Sequence, residues 1–410
     1  METKGERMKW ATAISWNTSV EAAIMECSER VRGDLGPGGI SLAAIFVTPH
    51  FAAYYPRMHR MVADHLAPET LIGCSGGGVI GGDEEIERAP ALSIVAARLP
   101  DVEVNPFRVG GPLPDLDGSP DNWEALVGVR PEEEPQIVLL VDPFSVRAEA
   151  LLSGLDYAFP ASPKIGGLAS GATSPGLNAL FLNEDVFDGG AVGVALTGNV
   201  VVDTVVAQGC RPVGDLMSVT DCEGNLLREL DGRPAFEVLQ ELFASLDERD
   251  RRLAAVSLFV GVLMDEFREE PRTGDFLIRN LIGADPRLGA VAVGENLHEG
   301  MRVRFHLRDA ETSAEDLHAV LTGYEKTVSQ DGSPSGALLF SCLGRGEYLY
   351  GRPNFDTGIF HEHLGGVPVG GFFCNGEIGP VAGTTFLHGY TSSFGLFRPR
   401  FQNPADTPIA

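Results

Sequence analysis

The chain has 410 residues, 44% apolar and 21% charged, and a formal net charge of −26 from 57 acidic against 31 basic side chains. That length can bury a large core and suggests two domains, and no apolar run is long enough to span a bilayer. The negative excess opposes a phosphate backbone and an anionic membrane surface, so neither nucleic acid nor membrane is an expected partner.

The six cysteines, Cys27, Cys74, Cys210, Cys222, Cys342 and Cys374, are scattered with no C-x-x-C pair. Reduced thiols and a cytoplasmic location follow as expectations, and METKGERMKWATAISWN carries no apolar signal core.

Residues 10–16 read as a strand. A helix follows, opened by Thr18-x-x-Glu21 as a capping box, with Ile24, Cys27 and Val31 on its apolar face and Gly33 as its stop. Residues 41–47 form an apolar strand ending at Thr48-Pro49-His50, and a helix over 55–66 leads to Ile72-Gly73-Cys74-Ser75-Gly76-Gly77-Gly78. A strand over 91–99 follows.

The order then recurs. Residues 136–141 are a strand ending at Asp142-Pro143, 146–157 are helical, and Ile165-Gly166-Gly167-Leu168-Ala169-Ser170-Gly171 follows. Strands over 191–196 and 200–208 read as a hairpin closed by Thr197-Gly198-Asn199. A domain change is expected near Asp231-Gly232, with a helix from Pro234 to Leu246 presenting Phe236, Leu239, Phe243 and Leu246. A second helix opens at Ser313-x-x-Asp316 with a Leu317, Val320, Leu321 and Tyr324 stripe. The stretches 105–120 and 330–336 read as surface loops.

The third version is a strand over 337–342, Gly344-Arg345-Gly346, a helix over 355–364, and Gly370-Gly371-Phe372-Phe373-Cys374-Asn375-Gly376. In the frame Gly-x4-Gly, Gly73, Gly166 and Gly371 correspond, as do Gly78, Gly171 and Gly376. The expected fold is α/β or α+β, with repeated strand-helix-strand units and mixed sheets.

Leu71 to Gly78, Lys164 to Gly167 and above all Pro368 to Pro380 resemble the FIST family, intracellular sensory proteins with N-terminal and C-terminal FIST regions. Phe276 to Arg279, Glu299 to Met301 and His388 to Thr391 also look like the C-terminal half. The resemblance implies an N-terminal region over 1–232, a C-terminal region over 233–400 and a flexible tail over 401–410, the two regions being closely associated. It also implies a small ligand such as an amino acid. Relatives pass the signal to attached kinase, cyclase, chemotaxis or F-box modules; none fits within this length, so a separate signalling protein is the expected partner. Some relatives are reported to be haem-binding gas sensors, which makes haem the alternative cofactor, at one of nine histidines. Otherwise no cofactor is expected, and the oligomeric state is left open.

The glycine phrases can offer backbone N–H groups to a ligand carboxylate, or simply allow tight turns. Gly76-x-Gly78-x-x-Gly81 fits a dinucleotide fingerprint, but Pro90 interrupts the required helix. Candidate ligand contacts are Thr48 and Asp142 at strand ends, Ser75, Gly76, Gly77 and Ser170 in the first two phrases, and Arg345 as a carboxylate fork. In the third region they are Cys374, Asn375, Glu377 as an ammonium acceptor, His388 and Thr391. Cysteine catalysis through Cys374 or Cys342, and an adaptor role like that of F-box relatives, are the competing readings. His361-Glu362-His363 has poor metal spacing.

Overall fold

The computed structural model describes residues 7–265 and 267–401 and resolves into two compact units. The first comprises residues up to Val206 with Ala319–Leu387 and the segment from Thr391; the second comprises Ala207–His318 and His388–Tyr390. The expected tail lies almost wholly outside the described residues.

The first unit holds three six-stranded mixed sheets, each built in one order: an edge strand, an antiparallel neighbour, a parallel strand pair and a hairpin. The first sheet runs Lys9–Ser15, Leu92–Arg98, Leu42–Val47, Thr70–Ser75, Leu180–Leu182 and Asp185–Phe187. The second runs Val102–Val109, Ala191–Gly198, Gln136–Val141, Lys164–Leu168, Glu377–Val381 and Thr384–His388. The third runs Val201–Ala207, Ser392–Arg398, Gly336–Cys342, Val369–Cys374, Gly78–Gly81 and Glu84–Glu87.

The hairpins are exchanged in a closed ring. Chain leaving the first sheet after Ser75 forms the hairpin of the third sheet, chain leaving the third forms that of the second, and chain leaving the second forms that of the first. The glycine phrases are the crossing points. Their parallel registers coincide, Ile45 facing Gly73, Leu139 facing Gly166 and Leu339 facing Gly371. A Cβ at those glycines would lie 2.2, 1.8 and 1.8 Å from the carbonyl oxygens of Ile45, Leu139 and Leu339. No side chain fits there, which is the physical reason for the first glycine of each phrase.

The inner faces of the sheets share one core, with Trp10, Phe46, Cys74, Leu140, Phe340, Phe372 and Cys374 buried in it. A void of about 10 Å³ lies in this core beside Trp10, Phe46 and Leu140, about the least that holds one water. Outer faces are covered by helices: Val20–Leu35 and Tyr55–Leu66 on the first sheet, Asp121–Val127 and Ala148–Ala158 on the second. On the third, Phe360 of helix Phe355–Leu364 stacks on Phe394 with ring centroids 5.5 Å apart.

The second unit is a seven-stranded antiparallel sheet in which Cys210–Glu223 pairs both with Arg302–Arg308 and with Leu226–Leu230, so the sheet closes on itself. Helices Ala235–Ser245 and Glu248–Ser257 cover its apolar side.

Several local expectations change. Ser19, not Thr18, caps the first helix, accepting from Ala22 N at 3.3 Å, and the helix runs through Gly33 to Leu35 because a Cβ-free position facing open space costs only helix propensity. Strands Ala191–Gly198 and Val201–Ala207 do not form a hairpin; the link carries the chain from the second sheet to the third. Pro234 sits at the N-cap, and Val238, Leu239 and Leu242 form the buried face of that helix. The later helix begins at Ala310, where Asp309 accepts from Thr312 N at 2.8 Å. Of the loop expected over 105–120, residues 105–109 belong instead to the edge strand Val102–Val109, and of that over 330–336 the first two lie in helix Ala310–Asp331.

Candidate functional site

The three glycine phrases converge in the first unit. Ser170 N and Gly171 N each donate to the Ser75 carbonyl at 3.2 Å, Gly77 N donates to Ser170 Oγ at 2.9 Å, and Asn375 N donates to the Leu168 carbonyl at 3.1 Å. Ser170 Oγ in turn donates to the Phe373 carbonyl. Packing is as close as the hydrogen bonding: a Cβ on Gly167 would lie 2.3 Å from Cys374 Sγ, and one on Gly171 would lie 2.6 Å from Ser75 Oγ.

Gly76 and Cys374 are buried at this crossing. Gly77, Ser170 and Asn375, each four residues beyond the first glycine of its phrase, are the positions that face outward; Gly77 and Ser170 are half-buried and Asn375 is exposed. Leu343 borders Gly77, its Cδ2 lying 2.6 Å from where a Cβ would stand.

Ser75 and Asp142 join through a residue that sequence reasoning missed. Ser75 Oγ donates to Asn178 Oδ1 at 3.2 Å, and Asn178 Nδ2 donates to Asp142 Oδ1 at 2.9 Å. Asp142 Oδ2 accepts from Ser145 Oγ at 2.6 Å and Phe144 N at 3.2 Å. Thr48 Oγ1 accepts from Ala91 N at 3.0 Å and closes a strand end. The neighbourhood of these strand ends is thus polar but internally satisfied.

Arg345 is fully buried, and its carboxylate partner is Asp356 within the chain, with Nε to Oδ2 at 2.8 Å and Nη2 to Oδ1 at 2.9 Å. Asp356 Oδ2 also accepts from Ser341 Oγ at 3.1 Å and Ser392 Oγ at 2.5 Å. Burial opposes the Asp356 charge, but the guanidinium and these hydroxyls outweigh it, and its carboxyl stays below the usual range. Glu85, on the exchanged hairpin, accepts from Thr357 N at 2.7 Å at the start of helix Phe355–Leu364. Burial and then the Asp356 charge push the Glu85 carboxyl up to about 8. An acid at a helix start was legible at Asp356, whereas the approach of Glu85 depends on the hairpin exchange and left no local signal.

Glu377 accepts from Thr391 N at 3.1 Å and Thr391 Oγ1 at 2.8 Å, so these two candidates meet each other. Burial pushes the Cys374 thiol well above its ordinary value. His388 is buried and is grouped with the second unit.

Three grooves of about 540, 580 and 610 Å³ lie beside Ser145 and Arg147, beside Arg32 and Gly36, and beside Asp203 and Tyr324. Among the described residues no group of three or more His, Cys, Asp or Glu could hold a metal ion, and no helix is long and apolar enough to cross a membrane.

Comparison with known proteins places two family models along the chain, the FIST N domain over residues 41–233 and the FIST C domain over 235–380. An uncharacterized protein of Mycobacterium tuberculosis is 35% identical over 394 residues, covering 95% of this chain and 100% of its own; one of Mycobacterium bovis is 33% identical over 393 residues, covering 95% and 99%. An F-box/LRR-repeat protein of Arabidopsis thaliana is 26% identical over 140 residues, 31% of this chain and 26% of that one. The crystal structure of a cyanuric acid hydrolase from A. caulinodans matches with a TM-score of 0.35 and 9% identity over 96% of this chain and 100% of that one, a likeness too slight to bear on fold or activity. FIST domains are generally linked to small-ligand-binding sensory function, and by the two matched regions this chain belongs to the FIST family.

Proposed function

We propose that this chain is a cytoplasmic sensory protein that binds a small ligand, an amino acid or a related metabolite, at the convergence of its glycine phrases, and hands the signal to a separate partner protein. The observation that carries this reading is the outward-facing trio Gly77, Ser170 and Asn375. Three segments distant in sequence are tied together there by backbone hydrogen bonds and by the Ser170 hydroxyl, which leaves the exposed Asn375 amide beside a side-chain-free backbone on a rigid base. Such a base suits a small polar ligand because few groups must be ordered on binding.

The test is a thermal-shift screen with amino acids and related carboxylates on the wild-type chain and on Asn375→Ala. A ligand that binds only the folded state at about 100 times its Kd adds about 2.7 kcal/mol. Stabilisation of the wild type and its loss in Asn375→Ala supports the reading; no stabilisation by any compound contradicts it.

A further inference from the structure

Cys342 and Cys374 end the two parallel strands that carry the third glycine phrase, and they face each other directly in the ladder. Partners in such a ladder project their side chains to the same face, and neighbouring strands lie about 4.8 Å apart, within the roughly 4.4–6.8 Å Cα separation of disulfides. The bond from Leu343 N to the Cys374 carbonyl, 3.0 Å, holds the register to its last residue.

The two thiols differ in setting. Cys374 is fully buried, while Cys342 is half-buried at the strand end. Gly344 N donates to Cys342 Sγ at 3.4 Å, and the loop carries the Arg345 guanidinium, which interacts electrostatically with Cys342. Its partial exposure makes Cys342, rather than the fully buried Cys374, the thiol that an oxidant reaches first. The other half-buried cysteine, Cys222, has no cysteine opposite it in its ladder.

We propose that Cys342 and Cys374 form a peroxide-oxidisable pair, with Cys342 as the attacking thiol and Cys374 as the resolving one. The Cys342 thiolate attacks one peroxide oxygen and breaks the O–O bond, giving a sulfenic acid and, after protonation of the departing hydroxide, water. The Cys374 sulfur then attacks the Cys342 sulfur, the S–S bond forms, and the sulfenic hydroxyl leaves as a second water with the Cys374 proton. Two thiols are oxidised and one peroxide is reduced to two waters. The new bond would tie the strand ends immediately before Asn375.

The test is peptide mass mapping of the full chain after graded hydrogen peroxide, with alkylation under denaturing, non-reducing conditions. The expected product is one linked Cys342–Cys374 peptide pair that dithiothreitol returns to free thiols, with Cys74 still alkylated. In Cys374→Ala, dimedone should trap a sulfenic acid at Cys342; in Cys342→Ser, Cys374 should stay alkylatable at every dose. The wild-type map decides the matter even if these variants fold poorly. Both cysteines remaining alkylatable at doses that oxidise Cys222, a Cys74–Cys374 link, or conversion of Cys342 to sulfinic acid without a link would overturn the proposal.

Discussion

Replacing Asp356 by alanine should be among the most damaging single changes to the first unit. Asp356 and Arg345 are both fully buried, and the carboxylate accepts four hydrogen bonds, two from Arg345 and one each from Ser341 and Ser392. Alanine leaves a buried guanidinium with Tyr350 OH, at 2.5 Å, as its remaining partner. Breaking one side of such a pair costs about 3–5 kcal/mol, mostly from the stranded charge. The two serine hydroxyls, 3.3 Å apart, can turn to each other and add little. Removing both charges in Arg345→Met, Asp356→Leu strands no charge, only the Tyr350 hydroxyl, so the double variant should be more stable than Asp356→Ala. Urea unfolding followed by tryptophan fluorescence isolates the effect, because Trp10, Trp16 and Trp123 all lie in the first unit. A loss below about 1 kcal/mol in Asp356→Ala, the range of a solvent-screened pair, or a double variant worse than either single one, would refute the reasoning.

Gly371→Ala places a Cβ 1.8 Å from the Leu339 carbonyl and should cost about 3 kcal/mol or more, or prevent folding, whereas Gly33→Ala, with open space around it in a helix, should gain about 0.5–1 kcal/mol; chemical denaturation of both compares them directly. Glu85 is raised to about 8, so the folded chain keeps a proton that the unfolded chain gives up above the ordinary carboxylate pKa. Its contribution is complete in acid and is lost as pH rises through the folded value, and Glu85→Gln should flatten the decline in stability between about pH 5 and pH 9. His306, in the second unit, has the opposite sign: burial lowers it to about 4, so its contribution is present above its ordinary pKa and is lost as pH falls through the folded value. His306→Phe should reduce that acid sensitivity, read by circular dichroism of the acid transition.

Much of the element order was legible because it rests on local patterns. Helices Tyr55–Leu66 and Phe355–Leu364 and strand Gln136–Val141 fall where periodicity and apolar runs put them, and the frame aligning Gly73, Gly166 and Gly371 coincides with the strand register. The hairpin exchange was not legible, since no local signal tells the chain after Ser75, Leu168 or Cys374 to pair with a different sheet. The same gap explains the site. Ser75, Asp142 and Ser170 could be nominated from strand ends and glycine phrases, but Asn178 and Glu85 reach their partners only through long-range topology. Arg345 had the right chemistry for a carboxylate, and the carboxylate it meets is supplied eleven residues along the chain.

The most direct test of ligand binding at the phrase convergence is hydrogen–deuterium exchange of the full chain with and without the compound that most raises its melting temperature. New protection is expected in peptides spanning 75–78, 168–171 and 373–376, and none of it in Asn375→Ala. Protection confined to other segments, with these three unchanged, would contradict it.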